Sequence, residues 1–529
     1  MPLANSYVLS KSKGREYFAR PVQKDSRVDF EIHKGICPEN EQTNKMGGKG
    51  AKFRCPFCGE ITIDDYIRQT AGEGRMGAQL MAVVEELDGC RSYHVPTEDD
   101  LCASETLMEG IDLPVGSLPD NPRWFTPPRF GKKAYADLYT HRQMCLMSTL
   151  CSLVKEAGEK AYRDALGQQM GDDGVPLSDG GSGALAYSQA IQLYLSLVVG
   201  KIANFQSEIC SWDNRKGNVR GAFLMQALPM TWVFAEGNPF SSVTGNIYGL
   251  LSGVADTITG LRGTGAVNVR QADGINFPFP DHSILFTELP YYDNVGYADL
   301  SDYFYIWLRK CLKDVYPALF SKLVTSKEEL SSIPEHFGKD AAMAKKTYEE
   351  GIRQFFTNFA PAAATNVPSM VFFLYTKADE QAILDPSDRD GLSSWENILS
   401  GIVDAGFQIM ALLPARTEKH DAHSASTRIC IIFQKRGENA QQVTRRGFVS
   451  AMKKELRELL DDRFVEQTDP WDRHIVGMGH GLGVFSRYRR IINADGSNMN
   501  VHEALQSIWA EVDAFLSEQA PQGDYSETL

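Results

Sequence analysis

Residues 287–295, with the sequence TELPYYDNV, gather a carboxylate at Glu288, a proline, two tyrosines and an Asp-Asn pair in one short stretch. An apolar segment at residues 283–286, which we predict to be a β-strand, precedes this stretch, and a predicted helix follows it. In open α/β sheets, ligands bind outside the carboxyl ends of the strands. The position of these side chains therefore predicts a catalytic loop that acts on a bound ligand.

A second chemical signature is the sequence CPFCG, in which Cys55 and Cys58 have the spacing of a zinc knuckle. Two thiolates supply half of a four-cysteine zinc ribbon, so a complete ribbon requires a second pair. The nearest further donors, none of which has CxxC spacing, are Cys37, Cys90, Cys102, His33 and His94. Bound zinc, a metal site completed by a partner and an empty half-ribbon are the three alternatives.

The sequence around the predicted loop, ELPYYDNVGYADLSDYFYIWLRK at residues 288–310, resembles the acid-Pro-Pro-Tyr catalytic loop of amino-methylating DNA methyltransferases. More closely, the chain resembles the family of adenine-specific DNA methylases that contain a zinc ribbon, and the likeness covers most of its length. The other matching segments are CPFCG, GRMGAQLMAVV, SWDNRKGNVRGAFLMQALPMTWVFAEGNPFS, RQAD, PARTE and FSRYRR. The resemblance implies S-adenosylmethionine-dependent methylation of the exocyclic amine of adenine in DNA.

In the resembled loop, an acidic or amide oxygen and a backbone carbonyl accept the two N–H hydrogens of the adenine amine. The resemblance assigns the first role to Glu288 and the second to the Leu289 carbonyl. It makes Pro290 a loop stiffener and Tyr291 the ring that stacks on a flipped base. The family has aspartate at position 288 and proline at position 289. Because a misplacement of about 1 Å can cost on the order of 100-fold in rate, a weakly active or inactive loop that merely packs is the alternative.

The resembled family also carries a glycine-rich cofactor turn upstream of its zinc ribbon, and we find no equivalent in this sequence. GEGRMG at residues 72–77 follows no apolar strand, and GLRGTGAV at residues 260–267 precedes one. Asp273, in RQAD, matches a family motif near the adenine of the cofactor, and a turn or helix cap is the alternative. The family's other cysteine pair lies just before the position of Met1. We therefore expect the C-terminal portion of a larger enzyme. A naturally split subunit, a gene fragment and a start assigned too late are the three alternatives, and in the first a separate subunit would carry those motifs.

For three further sets of residues, the sequence allows a functional and a purely structural interpretation. A set in the middle of the chain would shape a base pocket or would pack as a polar-aromatic loop: Trp212, Asp213, Trp232, Glu236 and Asn238. A basic set would contact DNA phosphates or would form a solvated face: Arg487, Arg489 and Arg490. A third set follows a predicted strand end and would face a substrate or form surface ion pairs: Arg416, Thr417 and Glu418.

Strands and helices must alternate between residues 264 and 436 to position this loop. The predicted strands there are VNVRQAD, SILFTEL, SMVFFLY, FQIMALLPA and TRICIIFQK, with helical stretches between several of them. This pattern predicts an α/β fold, a Rossmann-like methyltransferase domain with a mostly parallel sheet covered on both faces. Residues 1–60 predict short β-strands, and GAQLMAVVEEL and two later long stretches predict helices. The expected segments are a zinc-ribbon-like region at 1–105, a helical insertion at 106–245, the methyltransferase domain at 246–436 and a helical region at 437–529.

Charge and composition limit the classes of function. The chain has 529 residues, with 54 Lys and Arg against 68 Asp and Glu, which gives a formal charge of −14. This balance weakens a general nucleic-acid coat and confines DNA binding to local basic patches. The ten scattered cysteines predict reduced thiols and a cytoplasmic protein. No apolar run approaches the roughly 20 residues that span a membrane, so we expect no membrane partner.

Overall fold

The computed structural model describes most of the chain. The described residues are 1–25, 27–48, 50–87, 89–105, 110–261, 263, 267–290, 295–376, 383, 394–415, 426–460 and 469–519. They form a mixed α/β structure with helices and several small sheets. The described chain divides into two compact units. The first, or N-terminal unit, is Met1–Ala266 with Val295–Glu329, and the second, or α/β unit, is Val267–Asn294 with Leu330–Leu529.

The N-terminal unit combines small antiparallel sheets with long helices. Its strands are β1 (Val8–Ser12), β2 (Arg15–Lys24), β3 (Arg27–Lys34), β4 (Phe53–Arg54), β5 (Ile61–Thr62), β6 (Val83–Leu87), β7 (Cys90–His94), β8 (Ser211–Asp213) and β9 (Asn218–Arg220). Its helices are α1 (Asp64–Gly72), α2 (Glu98–Glu105), α3 (His141–Gly167), α4 (Ala184–Ala203), α5 (Ile247–Gly260) and α6 (Tyr297–Leu312). The short β-strands predicted within residues 1–60 are present, and β1, β2 and β3 form a meander.

The helical packing of the N-terminal unit explains why residues 295–329 belong to it. Tyr303 and Trp307 of α6 are completely buried. The Tyr303 hydroxyl donates to the carbonyl oxygen of Ala203 at the end of α4, at 2.7 Å. The Trp307 indole donates to the hydroxyl of Tyr139, which precedes α3, at 2.8 Å. These two buried aromatic side chains, whose polar groups are hydrogen-bonded, join the expected helical insertion to α6, the helix that follows the predicted loop.

Two segments have a different secondary structure from the one predicted. GAQLMAVVEEL, expected to be a helix, instead ends in strand β6, whose residues Val83 and Val84 pair with β7. Adjacent β-branched residues favour the extended chain, and this preference prevails over the short helical periodicity. VNVRQAD, expected to be a strand, lies outside the described β-ladders, and its residues Val267 and Val269 are strongly exposed.

The α/β unit contains the sheet that carries the predicted loop. Its strands are β10 (Phe286–Glu288), β11 (Ser369–Thr376), β12 (Phe407–Ala415), β13 (Ser426–Lys435), β14 (Gln442–Thr444) and β15 (Arg490–Ile492). Its helices are α7 (Ala341–Phe359), α8 (Ser394–Asp404), α9 (Arg445–Leu459), α10 (Pro470–Ser486) and α11 (Val501–Gln519). The order of the main sheet is β10-β11-β13-β12. Four of the five predicted strands of this region are therefore present.

The direction of one strand makes the sheet mixed instead of mostly parallel. β10 and β11 are parallel, whereas β13 is antiparallel to both β11 and β12. β12 and β13 are consecutive and adjacent, with only residues 416–425 between them. A short connection of this length favours antiparallel pairing, since a parallel neighbour requires a crossover of a dozen or more residues.

One face of this sheet is covered by the helices of the unit. Phe356 of α7 packs edge-on against Phe433 of β13, and Trp395 of α8 packs against Tyr375 of β11. Residues of α9, α10 and α11 join the same hydrophobic core, so the expected helical region at 437–529 is part of the α/β unit. Burial of this apolar surface supplies the main stabilisation of the unit.

Helix α10 approaches its neighbours closely because of its glycines. A Cβ at Gly479 would lie 2.5 Å from the backbone nitrogen of Leu412 in β12. A Cβ at Gly481 would lie 2.3 Å from the side chain of Ile508 in α11. Alternate glycines thus allow α10 to pack tightly between a strand and a helix. Within the part of the chain that the structure describes, no helix is long and apolar enough to span a membrane.

Candidate functional site

The predicted loop begins at the carboxyl end of β10, as the sequence indicated. Glu288, the last residue of the strand, is half-exposed, and its carboxylate lies 3.4 Å from the guanidinium of Arg428 in β13. Arg428 pairs with Leu374 in β11, so its side chain reaches past that strand to Glu288. An ion pair with this exposure contributes about 0–1 kcal/mol, so the carboxylate can exchange Arg428 for another partner at small cost.

The next two residues anchor the loop to the α/β unit. The Leu289 side chain is buried in the core, and its N–H donates to the carbonyl oxygen of Phe372 in β11, at 3.4 Å. The carbonyl oxygen of Pro290 accepts a 2.8 Å hydrogen bond from the hydroxyl of Tyr348 in α7. Tyr348 is completely buried. The end of β10, the buried side chain of Leu289 and the hydrogen bond from Tyr348 together fix the start of the loop.

Sequence reasoning missed both Arg428 and Tyr348 as parts of this site. Tyr348 lies in an amphipathic helix, where a buried aromatic residue normally indicates core packing alone. The sequence gives no signal for its contact with Pro290, because the two residues are 58 positions apart. Arg428 is the third residue of β13 and directly precedes the apolar residues 429–433, and this charge beside an apolar run is a signal that the sequence offers.

Several predicted residues lie outside the described part of the chain. These are Tyr291, with the adjacent Tyr292, Asp293 and Asn294, and the later set Arg416, Thr417 and Glu418. Their assigned roles stay predictions. Of the four residues assigned to the catalytic loop, the structure brings together Glu288, Leu289 and Pro290.

Asp273, the predicted cofactor-binding residue, holds a turn in the α/β unit. One carboxylate oxygen accepts from the N–H of Ile275 at 3.0 Å, and the other accepts from the side-chain amide of Asn276 at 2.7 Å. These contacts are those of a turn cap, the alternative considered from the sequence. The assigned contact with a cofactor stays a prediction.

Cys55 and Cys58 form a knuckle between β4 and β5 of the N-terminal unit. The N–H of Gly59 donates to the carbonyl oxygen of Cys55 at 3.0 Å, and Gly59 has a φ of 77°, which favours glycine. The backbone N–H groups of Cys58 and Phe57 donate toward the Cys55 sulfur and lower the pKa of its thiol. Hydrogen bonds to a thiolate sulfur prepare it as a metal ligand.

The knuckle supplies two thiol donors, and the described residues contain no group of three or more His, Cys, Asp or Glu suited to a metal. Cys37 is buried in a small apolar cluster with Val8 and Phe18, and burial raises the pKa of its thiol. His33 stacks on the ring of Phe18. The donor set thus fits half of a tetrahedral zinc site.

Two acidic residues of the family-like motif have structural contacts in the N-terminal unit. Asp299 and Asp302 of α6 are buried, and the Lys327 ammonium lies 2.9 Å and 2.5 Å from their carboxylates. Asp302 also accepts from the N–H and the hydroxyl of Thr325, both at 2.7 Å. This network fixes the segment after α6 to the helix. The sequence did not indicate that Lys327 and Thr325 are part of it.

The residues with two interpretations are held by contacts within their own units. The Trp212 indole donates to the carbonyl oxygen of Leu9 at 2.7 Å, and Trp232 packs against the rings of Phe53 and Phe130. The remaining contacts of this set join Glu236 to Arg142, Asp213 to Arg220, and Asn238 to the N–H of Phe240. All five residues therefore have structural contacts in the N-terminal unit, and their part in a base pocket stays a prediction.

Two of the three arginines in the basic cluster FSRYRR also bond other side chains of the α/β unit. The Arg487 guanidinium makes two hydrogen bonds to Glu455, at 2.5 and 3.0 Å, which raise its pKa further. The Arg490 guanidinium donates to the side-chain oxygen of Asn498, and Arg489 is exposed.

Comparisons with protein-family models, with curated proteins and with solved structures found no match to this chain.

Proposed function

We propose that this chain is the C-terminal portion or subunit of a larger S-adenosylmethionine-dependent enzyme that methylates the exocyclic amine of adenine in DNA. One observation carries the proposal. Glu288, Leu289 and Pro290 occupy the positions of the resembled family's catalytic motif, with Pro290 as in the family and Glu288 and Leu289 in place of its aspartate and proline. They follow in order at the carboxyl end of β10, and Tyr348 fixes the last of them. Ligands of α/β sheets bind at this end of the strands.

The topology of the sheet also supports the proposal. β10, β11 and β12 have the same direction, and the reversed strand β13 lies between β11 and β12. The shared direction brings the carboxyl ends of these three strands to one edge, where the ligands of α/β sheets bind. We therefore propose that the α/β unit is a methyltransferase half-sheet, with the N-terminal unit contributing a zinc-ribbon-like segment.

The proposed chemistry uses the chain to orient an amine. S-adenosylmethionine would supply an electrophilic methyl group. The bond between the adenine nitrogen and this methyl group would form as the methyl–sulfur bond breaks, the thioether would leave, and the proton lost by the amine would pass to solvent. The Glu288 carboxylate accepts one N–H of the amine, and the Leu289 carbonyl oxygen accepts the other. Pro290 keeps the loop stiff, and Tyr291 stacks on the flipped base. These contacts act by orientation and electrostatics, which are worth most in a site closed from water.

The cofactor and the metal both require donors beyond those that we assign in this chain. We propose that a separate subunit supplies the glycine-rich cofactor turn, and that Asp273 lies near the cofactor's adenine. The same subunit supplies the second cysteine pair that completes a zinc site with Cys55 and Cys58. DNA is bound through local basic residues, because the formal charge of −14 disfavours broad contact with phosphates.

A second candidate function is favoured by the ion pair between Glu288 and Arg428. A carboxylate that already faces a guanidinium at 3.4 Å has part of its negative charge neutralised, which weakens it as an acceptor for an amine. The chain would then be an inactive pseudo-methyltransferase that binds DNA or assembles a complex. The two functions differ in one property, because only the enzyme requires S-adenosylmethionine.

Isothermal calorimetry with S-adenosylmethionine tests the proposal, with the chain alone and with a co-expressed upstream-encoded subunit. We expect binding in the second sample, together with transfer of a labelled methyl group to DNA. Tyr291→Ala should abolish that transfer and leave the far-ultraviolet circular dichroism unchanged. Absence of binding in both samples contradicts the enzyme and favours the pseudo-methyltransferase. Retained transfer in the variant contradicts the role of Tyr291.

A further inference from the structure

Two hairpin tips lie side by side in the N-terminal unit, one joining β1 to β2 and the other joining β8 to β9. The N–H of Lys11 donates to the carbonyl oxygen of Asn214 at 2.7 Å. The hydroxyl of Ser12 donates to the carbonyl oxygen of Arg215 at 3.4 Å. Ser12 and Arg215 are 203 positions apart in the sequence, so it is the fold that brings the two tips together.

The carboxylates beside these tips hold the backbone of the turns. The Glu16 carboxylate accepts from the N–H of Gly14 at 3.1 Å. The Asp213 carboxylate accepts from the N–H of Arg215 at 3.0 Å and from that of Lys216 at 3.1 Å. The turn backbone is therefore fixed before a ligand binds, which lowers the ordering cost of binding.

Exposed cations are concentrated at both tips. We call the following side chains the basic tips: Lys11, Lys13, Arg15, Arg215 and Lys216. Within the part of the chain that the structure describes, none of these side chains forms an ion pair with a carboxylate. The neighbouring Arg220, by contrast, is paired with Asp213. The basic tips are thus a local excess of available positive charge in a chain whose formal charge is −14.

We infer that the basic tips bind the phosphate backbone of duplex DNA. The choice of DNA rests on the proposed function, and the inference deepens that function by assigning residues that hold the substrate outside the predicted loop. Lysine and arginine side chains without carboxylate partners neutralise phosphates and release the counterions that are condensed on them. A local patch of this kind allows an acidic chain to bind DNA.

The residues of the tips favour phosphates over a membrane or an acidic protein. The other residues there include Ser12, Gly14 and Asn214, none of which has an apolar side chain that would enter a lipid interface. Duplex DNA carries one negative charge per about 1.7 Å of its axis, whereas scattered carboxylates of a protein have no comparable layer of condensed counterions to release. Phosphate contacts position DNA without reading its bases, so we expect little sequence preference.

Fluorescence anisotropy of a labelled DNA duplex, titrated with the full chain over a series of salt concentrations, tests this inference. Lys13→Gln combined with Arg215→Gln should reduce the slope of log affinity against log salt by about 2, because each phosphate contact contributes about 0.9. At about 0.1 M salt, the affinity should fall by about tenfold or more. The matched control combines Lys160→Gln with Arg163→Gln, which removes two exposed cations of α3 in the same unit. The control should leave slope and affinity unchanged, and circular dichroism verifies that both variants are folded.

Three results with DNA overturn the inference: equal losses of affinity in the two variants, an unchanged salt slope in the tip variant, or no binding of DNA by the unaltered chain. Polyglutamate that displaces the duplex as well as unlabelled DNA of equal total charge would indicate an acidic protein as the ligand and would also overturn it. Tighter binding of duplex RNA would overturn the choice of DNA.

The proposed enzyme is judged by a separate measurement, the transfer of a labelled methyl group. If the tip variant loses affinity for DNA and no methyl transfer is found, the enzyme fails and the basic tips stand. If methyl transfer is found and the tip variant binds DNA like the unaltered chain, the basic tips fail and the enzyme stands.

Discussion

The hydroxyl of Tyr348 donates a 2.8 Å hydrogen bond to the carbonyl oxygen of Pro290. The tyrosine is anchored in the middle of α7 and has no exposed surface, so the bond joins a rigid helix to the start of the predicted loop. Pro290 cannot donate through its own nitrogen, and its carbonyl is therefore the backbone group that can hold it. A buried phenol in this position fixes the direction in which the chain leaves β10.

Replacement of Tyr348 by phenylalanine removes this bond and keeps the ring. We expect Tyr348→Phe to lower the free energy of unfolding by about 1 kcal/mol, the net contribution of one buried hydrogen bond. If the loop is catalytic, methyl transfer falls by about tenfold or more, because small displacements of reacting groups are costly. Urea unfolding and a labelled-methyl assay measure the two effects. Tyr248→Phe, at an exposed position, is the control, and equal losses in both variants would contradict the anchoring role.

The resembled family has proline at the position of Leu289. In this structure, replacement of Leu289 by proline should destabilise the fold. The Leu289 side chain is 5% exposed in the core, and its N–H bonds to Phe372. We expect Leu289→Ala to cost about 2–5 kcal/mol in unfolding free energy, as other buried leucines do. Leu289→Pro additionally removes the N–H and should also destabilise the chain. Leu413→Ala, 46% exposed in the same sheet, should cost under about 1 kcal/mol in the same urea titration. A stabilised Leu289→Pro variant would contradict this account.

The sequence predicted the elements with strong periodicity and missed contacts between distant ones. The apolar strands β11, β12 and β13 and the helix α7 were found because burial imposes a pattern on consecutive residues. The mixed direction of the sheet depends on which strands become neighbours, and local sequence does not specify that choice. Tyr348 and Arg428 were missed for the same reason. Each acts on the loop through the fold. The neighbours of Tyr348 in sequence carry no sign of that role, and the charge of Arg428 beside an apolar run does not identify Glu288 as its partner.

Lys327 neutralises two buried carboxylates in the N-terminal unit, those of Asp299 and Asp302. We expect Lys327→Met to lower the unfolding free energy by about 3 kcal/mol, because removal of one partner leaves buried charge uncompensated. The control is Lys346→Met, since Lys346 and Glu350 are exposed and 3.9 Å apart, and this change should cost under about 1 kcal/mol. Urea titration followed by circular dichroism compares the two. Similar midpoints for both variants would show that the network contributes little.

The Cys55 thiol should be more reactive at moderate pH than an ordinary cysteine. Its pKa is lowered chiefly by the N–H groups of Cys58 and Phe57, so a larger thiolate fraction is present at any pH below the ordinary thiol pKa. The rate of alkylation by iodoacetamide should therefore rise at lower pH in the folded chain than in the chain unfolded by urea. Mass spectrometry of the peptide that contains Cys55 measures both profiles. Coincident profiles would contradict the pKa shift.

Gly479 in α10 is tightly surrounded and Gly253 in α5 is not, so alanine at each position tests the packing around α10. A Cβ at Gly479 would meet the backbone nitrogen of Leu412 at 2.5 Å, whereas a Cβ at Gly253 in α5 would meet no atom within 4 Å. Because backbone cannot move aside as a flexible side chain does, Gly479→Ala should lower the unfolding free energy by about 1–3 kcal/mol. Gly253→Ala should instead raise it by up to about 1 kcal/mol, since alanine favours helix more than glycine. Urea titrations of both variants measure the difference. The same sign for both changes would mean that α10 does not lie against β12 as closely as this geometry requires.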